Sequence, residues 1–227
     1  MTDLSISRVQ RPLIGILILV LLYFVYLAAN WGLGDVAAYQ TRSIMNKWSK
    51  KPNSLDLESW QKAQQYLSSA LGYSANNSEY LALQGNLYEW RALIKNREPA
   101  EKINDYKTAL DYYRRALHLR PAFAYYWANI AVVKSMLGEV DQEFYQAVDR
   151  SLALGAWEPG VQLKIADATL GVWYLLDENG WTMMLENVEK GLQSNPEAMM
   201  NLAKKYQVFR HLCARLRRTE AMLTYCQ

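Results

Sequence analysis

Residues 109–127, ALDYYRRALHLRPAFAYYW, decide how the rest of the chain is read. Ala109, Tyr113, Ala116 and Leu117 recur at the three-and-four spacing of an amphipathic helix. Pro121 cannot continue that helix, and Ala124-Tyr125-Tyr126-Trp127 opens another. The same arrangement stands earlier, at Ala63-x3-Leu67-x2-Ala70-Leu71-x-Tyr73 followed by Glu79-Tyr80-Leu81. A degenerate third copy is Phe144-x3-Val148-x2-Ser151-Leu152-x-Leu154, ending at Gly155. One helix pair cannot bury its own apolar face, so repetition on this scale predicts hairpins that stack on their neighbours.

Outward from these copies the pattern stays helical. Leu57–Tyr73 is amphipathic, with Trp60, Ala63, Leu67, Ala70 and Leu71 on one face, and Gly72, Ser74, Asn76 and Asn77 close it. A second helix runs from Glu79 through Leu81, Leu83, Gly85, Leu87 and Tyr88. Between Tyr88 and Ala109 lie roughly a dozen residues more than a repeat of about 34 would hold, and 95–101 (KNREPAE) is the obvious insertion. Beyond Pro159, helices over 160–176, 181–192 and 197–216 keep amphipathic spacing and lose the motif.

These residues resemble the tetratricopeptide pattern. Trp127 fills its early aromatic position, Gly85 and Tyr88 its Gly-and-aromatic pair, and Pro121 its terminal proline. The resemblance implies antiparallel helix pairs whose first helices line a concave binding face. In that register the face includes Glu79, Asn86, Glu89 and Trp90 in one repeat and Tyr125, Ser135 and Met136 in the next. Trp90 beside Arg91 is the preferred anchor, since Trp and Arg are enriched at binding hot spots. Packing of Trp90 beneath the insertion competes with that role.

Three longer strings are Tyr80-Leu81-x3-Gly85-x2-Tyr88-Glu89-Trp90-Arg91, Trp127-Ala128-Asn129 and Gly155-Ala156-Trp157-Glu158-Pro159-Gly160-Val161-Gln162. With the apolar N-terminal run and the total length, they resemble the VpsP-type polysaccharide biosynthesis proteins, small membrane-anchored repeat proteins associated with bacterial exopolysaccharide production. That resemblance implies a periplasm-facing accessory in polymer assembly or export, with no catalytic motif to carry over.

The N-terminal run is PLIGILILVLLYFVYLAA, residues 12–29, with no charge. About 20 apolar residues match the ~30 Å hydrocarbon core of a bilayer, and Asn30-Trp31-Gly32-Leu33 completes the length. Arg8 and Arg11 flank one side, while Tyr23, Tyr26 and Trp31 lie towards the other, as interfacial aromatics do. A cleavable signal peptide would have a shorter apolar region and a better small-residue site than Leu27-Ala28-Ala29. Arg42, Lys47, Lys50 and Lys51 follow the span and weaken the charge bias. The cationic pair tight against the run still favours a cytoplasmic N-terminus. The expected organisation is a cytoplasmic segment at 1–11, a transmembrane helix at 12–33, a polar connector at 34–54 that is helical over 35–48, and an all-α, tetratricopeptide-like hairpin solenoid at 55–227. The chain would sit in the inner (cell) membrane as a single-pass protein with its helical domain in the periplasm.

Composition agrees with order and argues against nucleic acid. Hydrophobic residues make up 51% of the 227, while Pro (6) and Gly (11) are sparse. Net charge is +3, too mild for an electrostatic nucleic-acid footprint, and Arg210, Arg215, Arg217 and Arg218 read as a solvated face or an anionic-lipid contact.

Chemistry-bearing motifs are missing from the sequence. His118 and His211 stand far apart, outside any zinc-protease spacing. No Gly-Lys-Ser/Thr phosphate loop and no Gly-x-Ser-x-Gly elbow occurs. Asp177-Glu178 before Asn179-Gly180 reads as a helix end and turn rather than a glycosidase pair. No catalytic residue, metal or cofactor is expected. Cys213 and Cys226 would lie about 20 Å apart on an unbroken helix, against the ~6 Å that a disulfide allows. Pairing needs the chain to turn back near Arg218-Thr219; a disulfide and two separate thiols both remain open. The expected role is a scaffold holding a protein partner in the cell envelope. The alternative is a module contacting the polymer itself through exposed aromatics.

Overall fold

The computed structural model describes residues 10–215, with side chains from residue 13 onward. Every regular element among the described residues is helical. The first, α1 (Gln10–Lys50), is one unbroken helix of 41 residues, about 60 Å long at ~1.5 Å per residue. Its apolar half touches nothing else: residues 13–26 are all exposed. That segment is long and apolar enough to cross a membrane.

The second half of α1 behaves differently. Ala38, Thr41, Met45 and Trp48, three and four residues apart, are buried. They pack against α2 (Leu57–Tyr73), and the Thr41 hydroxyl donates to the Ala63 carbonyl at 3.0 Å. The helix expected over 35–48 of the connector is present and runs to Lys50, but it packs into the folded domain, which begins inside α1 rather than at residue 55. The helix ends where Pro52 holds Lys51 out of the helical region, at φ −137° and ψ 78°, and starts a short 3₁₀ turn, Pro52–Ser54. Asp56 then caps α2 by accepting from the Ser59 amide at 2.7 Å.

The remaining elements are α3 (Ser78–Ala92), α4 (Pro99–Leu119), α5 (Ala124–Leu137), α6 (Gln142–Gly155), α7 (Pro159–Gly171), α8 (Glu178–Ser194), α9 (Pro196–Lys205) and α10 (Phe209–Arg215). Each packs on its chain neighbour; α5 also packs extensively on α7, and α7 on α9. The repeated strings fall at equivalent places on α2, α4 and α6. Their small positions Ala63, Ala70, Ala109, Ala116 and Ser151 are all fully buried. Gly85 shows why small residues are needed there: a Cβ on it would stand 2.8 Å from the buried Tyr113 ring.

Three helix expectations are corrected, the first being the helix over 160–176, which ends at Gly171 and is followed by a 3₁₀ turn, Trp173–Leu175. The insertion after Tyr88 is only briefly irregular; from Pro99 it becomes the opening turns of α4, capped by Glu98 and Glu101. The single helix expected over 197–216 is two, because Gln207 adopts a left-handed φ of 56°. There the Val208 amide turns back to the Ala203 carbonyl at 3.0 Å.

The core has two parts: one between α1, α2 and α3, and a larger one running from α3 to α10. Leu71 and Tyr88 pack against both.

Candidate binding site

A cleft of about 670 Å³ opens between α3, α4, α5, α7 and α9. Its walls are mostly aliphatic: Leu93 follows α3, Val132 and Met136 come from α5, Leu163 from α7, and Ala198 and Leu202 from α9. Tyr106 of α4 completes the apolar lining. Polar groups gather at two places, Glu89 on α3 and a set on α7 and α9 comprising Lys164, Asp167, Asn201 and Lys205. Apolar walls with a few convergent polar groups are the ordinary makeup of a binding cleft.

The α7–α9 group is internally paired. Asp167 accepts from Lys205 Nζ and from the Tyr206 hydroxyl, each at 2.8 Å. Burial pulls the Lys205 ammonium towards its neutral form, but the hydrogen bonds and charges of Asp167 and Tyr206 together outweigh it and the pKa rises overall. Lys205 and Asp167 thus form a fixed polar rim, and Lys164 beside them faces towards the Glu89 charge.

Glu89 is half-buried and accepts a short hydrogen bond from the hydroxyl of the fully buried Tyr113. Burial raises its carboxyl above the usual range, and the Asp167 charge adds to that; Lys164 and the Tyr113 hydrogen bond oppose it. The native state therefore holds this proton more tightly than the unfolded chain does. Stability from the group is fully present below the ordinary carboxylate range and is lost as pH rises through the raised value. Glu89→Gln keeps an acceptor for Tyr113 and removes the titration. Urea unfolding of the full chain in detergent is expected to show a shallower loss of stability for this variant as pH rises above the ordinary carboxylate range. An unchanged slope would mean that Glu89 is ionised in the folded protein as readily as in the unfolded chain.

Of the seven residues placed on a concave face, the cleft takes two, Glu89 and Met136. Glu79 is exposed at the first turn of α3, 3.6 Å from Arg42 and 3.7 Å from Arg120. Asn86 is half-buried on α3 and does not line the cleft. Trp90, the preferred anchor, packs instead on Trp48 of α1 with ring centroids 5.7 Å apart. Tyr125 lies against Phe123 and crowds Gly160, and Ser135 sits beside Gly171. The Asp177-Glu178 pair starts a helix rather than ending one: Asp177 caps α8 by accepting from the Gly180 amide at 2.8 Å. Cys213 is half-buried on α10; Cys226, Arg217, Arg218 and Arg8 lie outside the described residues.

The wall built by α7 and α9 was not foreseen, since no motif marks those helices. The signal available was position, because both continue along the chain the alternation of α3 and α5. No protein-family model matches the chain, and no curated protein matches it.

Proposed function

We propose that the chain is a membrane-anchored interaction scaffold whose helices after the span form a tetratricopeptide-like solenoid and whose cleft holds a segment of a partner protein. One observation carries this reading: apart from Tyr106 of α4, the cleft is walled by every second helix, α3, α5, α7 and α9, as the inner face of a stack of hairpins would be. Its aliphatic walls suit apolar side chains, and the paired charges at the rim set their register. The row of aromatic rings that a sugar polymer would stack on is missing from it, so a protein segment is the better occupant. The scaffold binds and positions; it breaks no bond.

The span confines this cleft to one membrane surface. Two partners confined together meet at raised effective concentration, so modest affinity is enough. The resemblance to VpsP-type proteins supports a role in bacterial exopolysaccharide assembly or export. The span would lie in the inner membrane with the helices on the periplasmic side, and the partner in the envelope.

The test is complementation of cells lacking the gene, with secreted polysaccharide as the readout. Leu93 and Met136 are 59% and 42% exposed in the cleft, so Leu93→Glu and Met136→Glu should leave the fold intact. Both variants, present in the membrane at normal abundance, are expected to fail. Full restoration by both would remove the cleft from the function. Unaltered polysaccharide in the deleted cells would remove the exopolysaccharide role.

A further inference from the structure

The turns at one end of the helical domain are tied to the point where α1 leaves its apolar segment. Gly34 stands just past that segment, and a Cβ there would meet Tyr73 Cβ at 3.4 Å and the Tyr80 hydroxyl at 3.0 Å. Asp35 accepts from the same hydroxyl at 2.7 Å. At the other end of the pair, Trp48 Nε1 donates to Ser59 Oγ at 3.2 Å. So α2 runs antiparallel to α1, and the α2–α3 turn lies level with the end of the span.

The level continues from turn to turn. Tyr126 at the start of α5 bonds Ser78 at the start of α3, 3.2 Å apart, and Arg120 lies 3.7 Å from Glu79. Gly155 at the end of α6 packs on Ala124, and Gly160 on Tyr125. The α2–α3, α4–α5 and α6–α7 turns therefore share one end of the protein, the end from which the span emerges.

That end carries exposed apolar groups where the even helices finish: Tyr73 (42%), Leu119 (44%) and Leu154 (45%). Trp157, in the turn after α6, is 78% exposed, more than any of the large apolar side chains of the span at residues 13–33. Its neighbours in the string GAWEPGVQ all serve the turn. Gly155 and Gly160 admit close packing, Pro159 starts α7, and Gln162 donates to the Ala156 carbonyl at 2.7 Å while accepting from Ser194 at 2.6 Å. The Trp157 side chain does nothing of the kind and points outward. Trp and Tyr rings with a polar edge are suited to the headgroup layer, and Leu side chains to the acyl boundary beneath it.

We propose that this end of the domain rests on the bilayer that α1 spans, with Trp157 seated in the headgroup layer and Leu119 and Leu154 beside it. The inference depends on α1 crossing the membrane. The domain would then lie along the surface as a second attachment rather than stand free on its helix, which fixes the direction in which the cleft opens.

The test places the full chain in nanodiscs of phosphatidylethanolamine and phosphatidylglycerol brominated near the headgroup end of the acyl chains. Emission lost in Trp157→Phe reports Trp157, and emission lost in Trp31→Phe reports the end of the span. Both contributions are expected to be quenched, with roughly half of the Trp157 emission lost, as for a ring at the interface. Quenching of Trp31 with none of Trp157 would overturn the docking and leave the anchor standing. Quenching of neither would overturn the span and, with it, the docking.

Discussion

Replacing Asp105 by alanine is expected to destabilise the protein by about 3–5 kcal/mol, the range for removing one partner of a buried ion pair. Asp105 is fully buried on α4. Its Oδ1 accepts from Arg91 Nε at 2.8 Å and from Arg91 Nη2, and Arg97 Nη2 lies 3.0 Å from Oδ2. The Arg91 guanidinium is held over the rings of Trp60 and Tyr88, 4.6 Å and 4.4 Å from their centroids, and Tyr88 stacks on Tyr112. Without the carboxylate, two guanidinium groups with 20% and 16% exposed side chains would face each other, with only Glu101, 3.7 Å from Arg97, left to offset them. Asp105→Asn keeps the hydrogen-bond acceptor and loses the charge, so it should fall between. Urea unfolding of the full chain in detergent measures both. A loss below about 1 kcal/mol for the alanine variant would mean that the pair behaves as a surface salt bridge.

The same cluster explains the insertion that breaks the repeat spacing. Its residues supply Arg97 and the first turns of α4, which carry Asp105 over to Arg91. It reinforces the contact between α3 and α4, near the place where the two parts of the core meet at Tyr88.

How much of this was legible depended on whether a signal was local. The apolar run, the bounds of α2 and the buried small residues of the repeated strings follow from spacing alone, because period and residue size act within one helix. The role of 38–48 was harder to see. Ala38, Thr41, Met45 and Trp48 keep a three-and-four spacing, yet two of the four are weakly apolar and the intervening TRSIMNK is largely polar. The cleft was least legible. A repeat register places residues on a helix face, but which of them line an opening depends on the later helices. Here α7 and α9 complete the wall beside Met136 and Glu89, while Trp90 turns towards α1.

Trp48→Ala is expected to have the other large effect, again about 3–5 kcal/mol, because truncating a buried Trp leaves a cavity that packed helices cannot fully close. Trp48 is fully buried between α1 and its neighbours, donates to Ser59 and packs on Trp90. Its loss should loosen the last three turns of α1 from α2 without touching the apolar segment. Hydrogen exchange is expected to rise over residues 38–50 while the chain stays in the membrane, and Trp48→Phe should recover most of the protection. Unchanged exchange and an unchanged unfolding midpoint would show that α2 to α10 hold together without α1. The difference matters for the scaffold reading. A domain that shares its first helix with the span presents its cleft at a set height and direction, whereas a domain released from that helix would be merely tethered. If the Trp48→Ala chain stays in the membrane yet cannot support polysaccharide secretion, orientation as well as attachment is what α1 contributes.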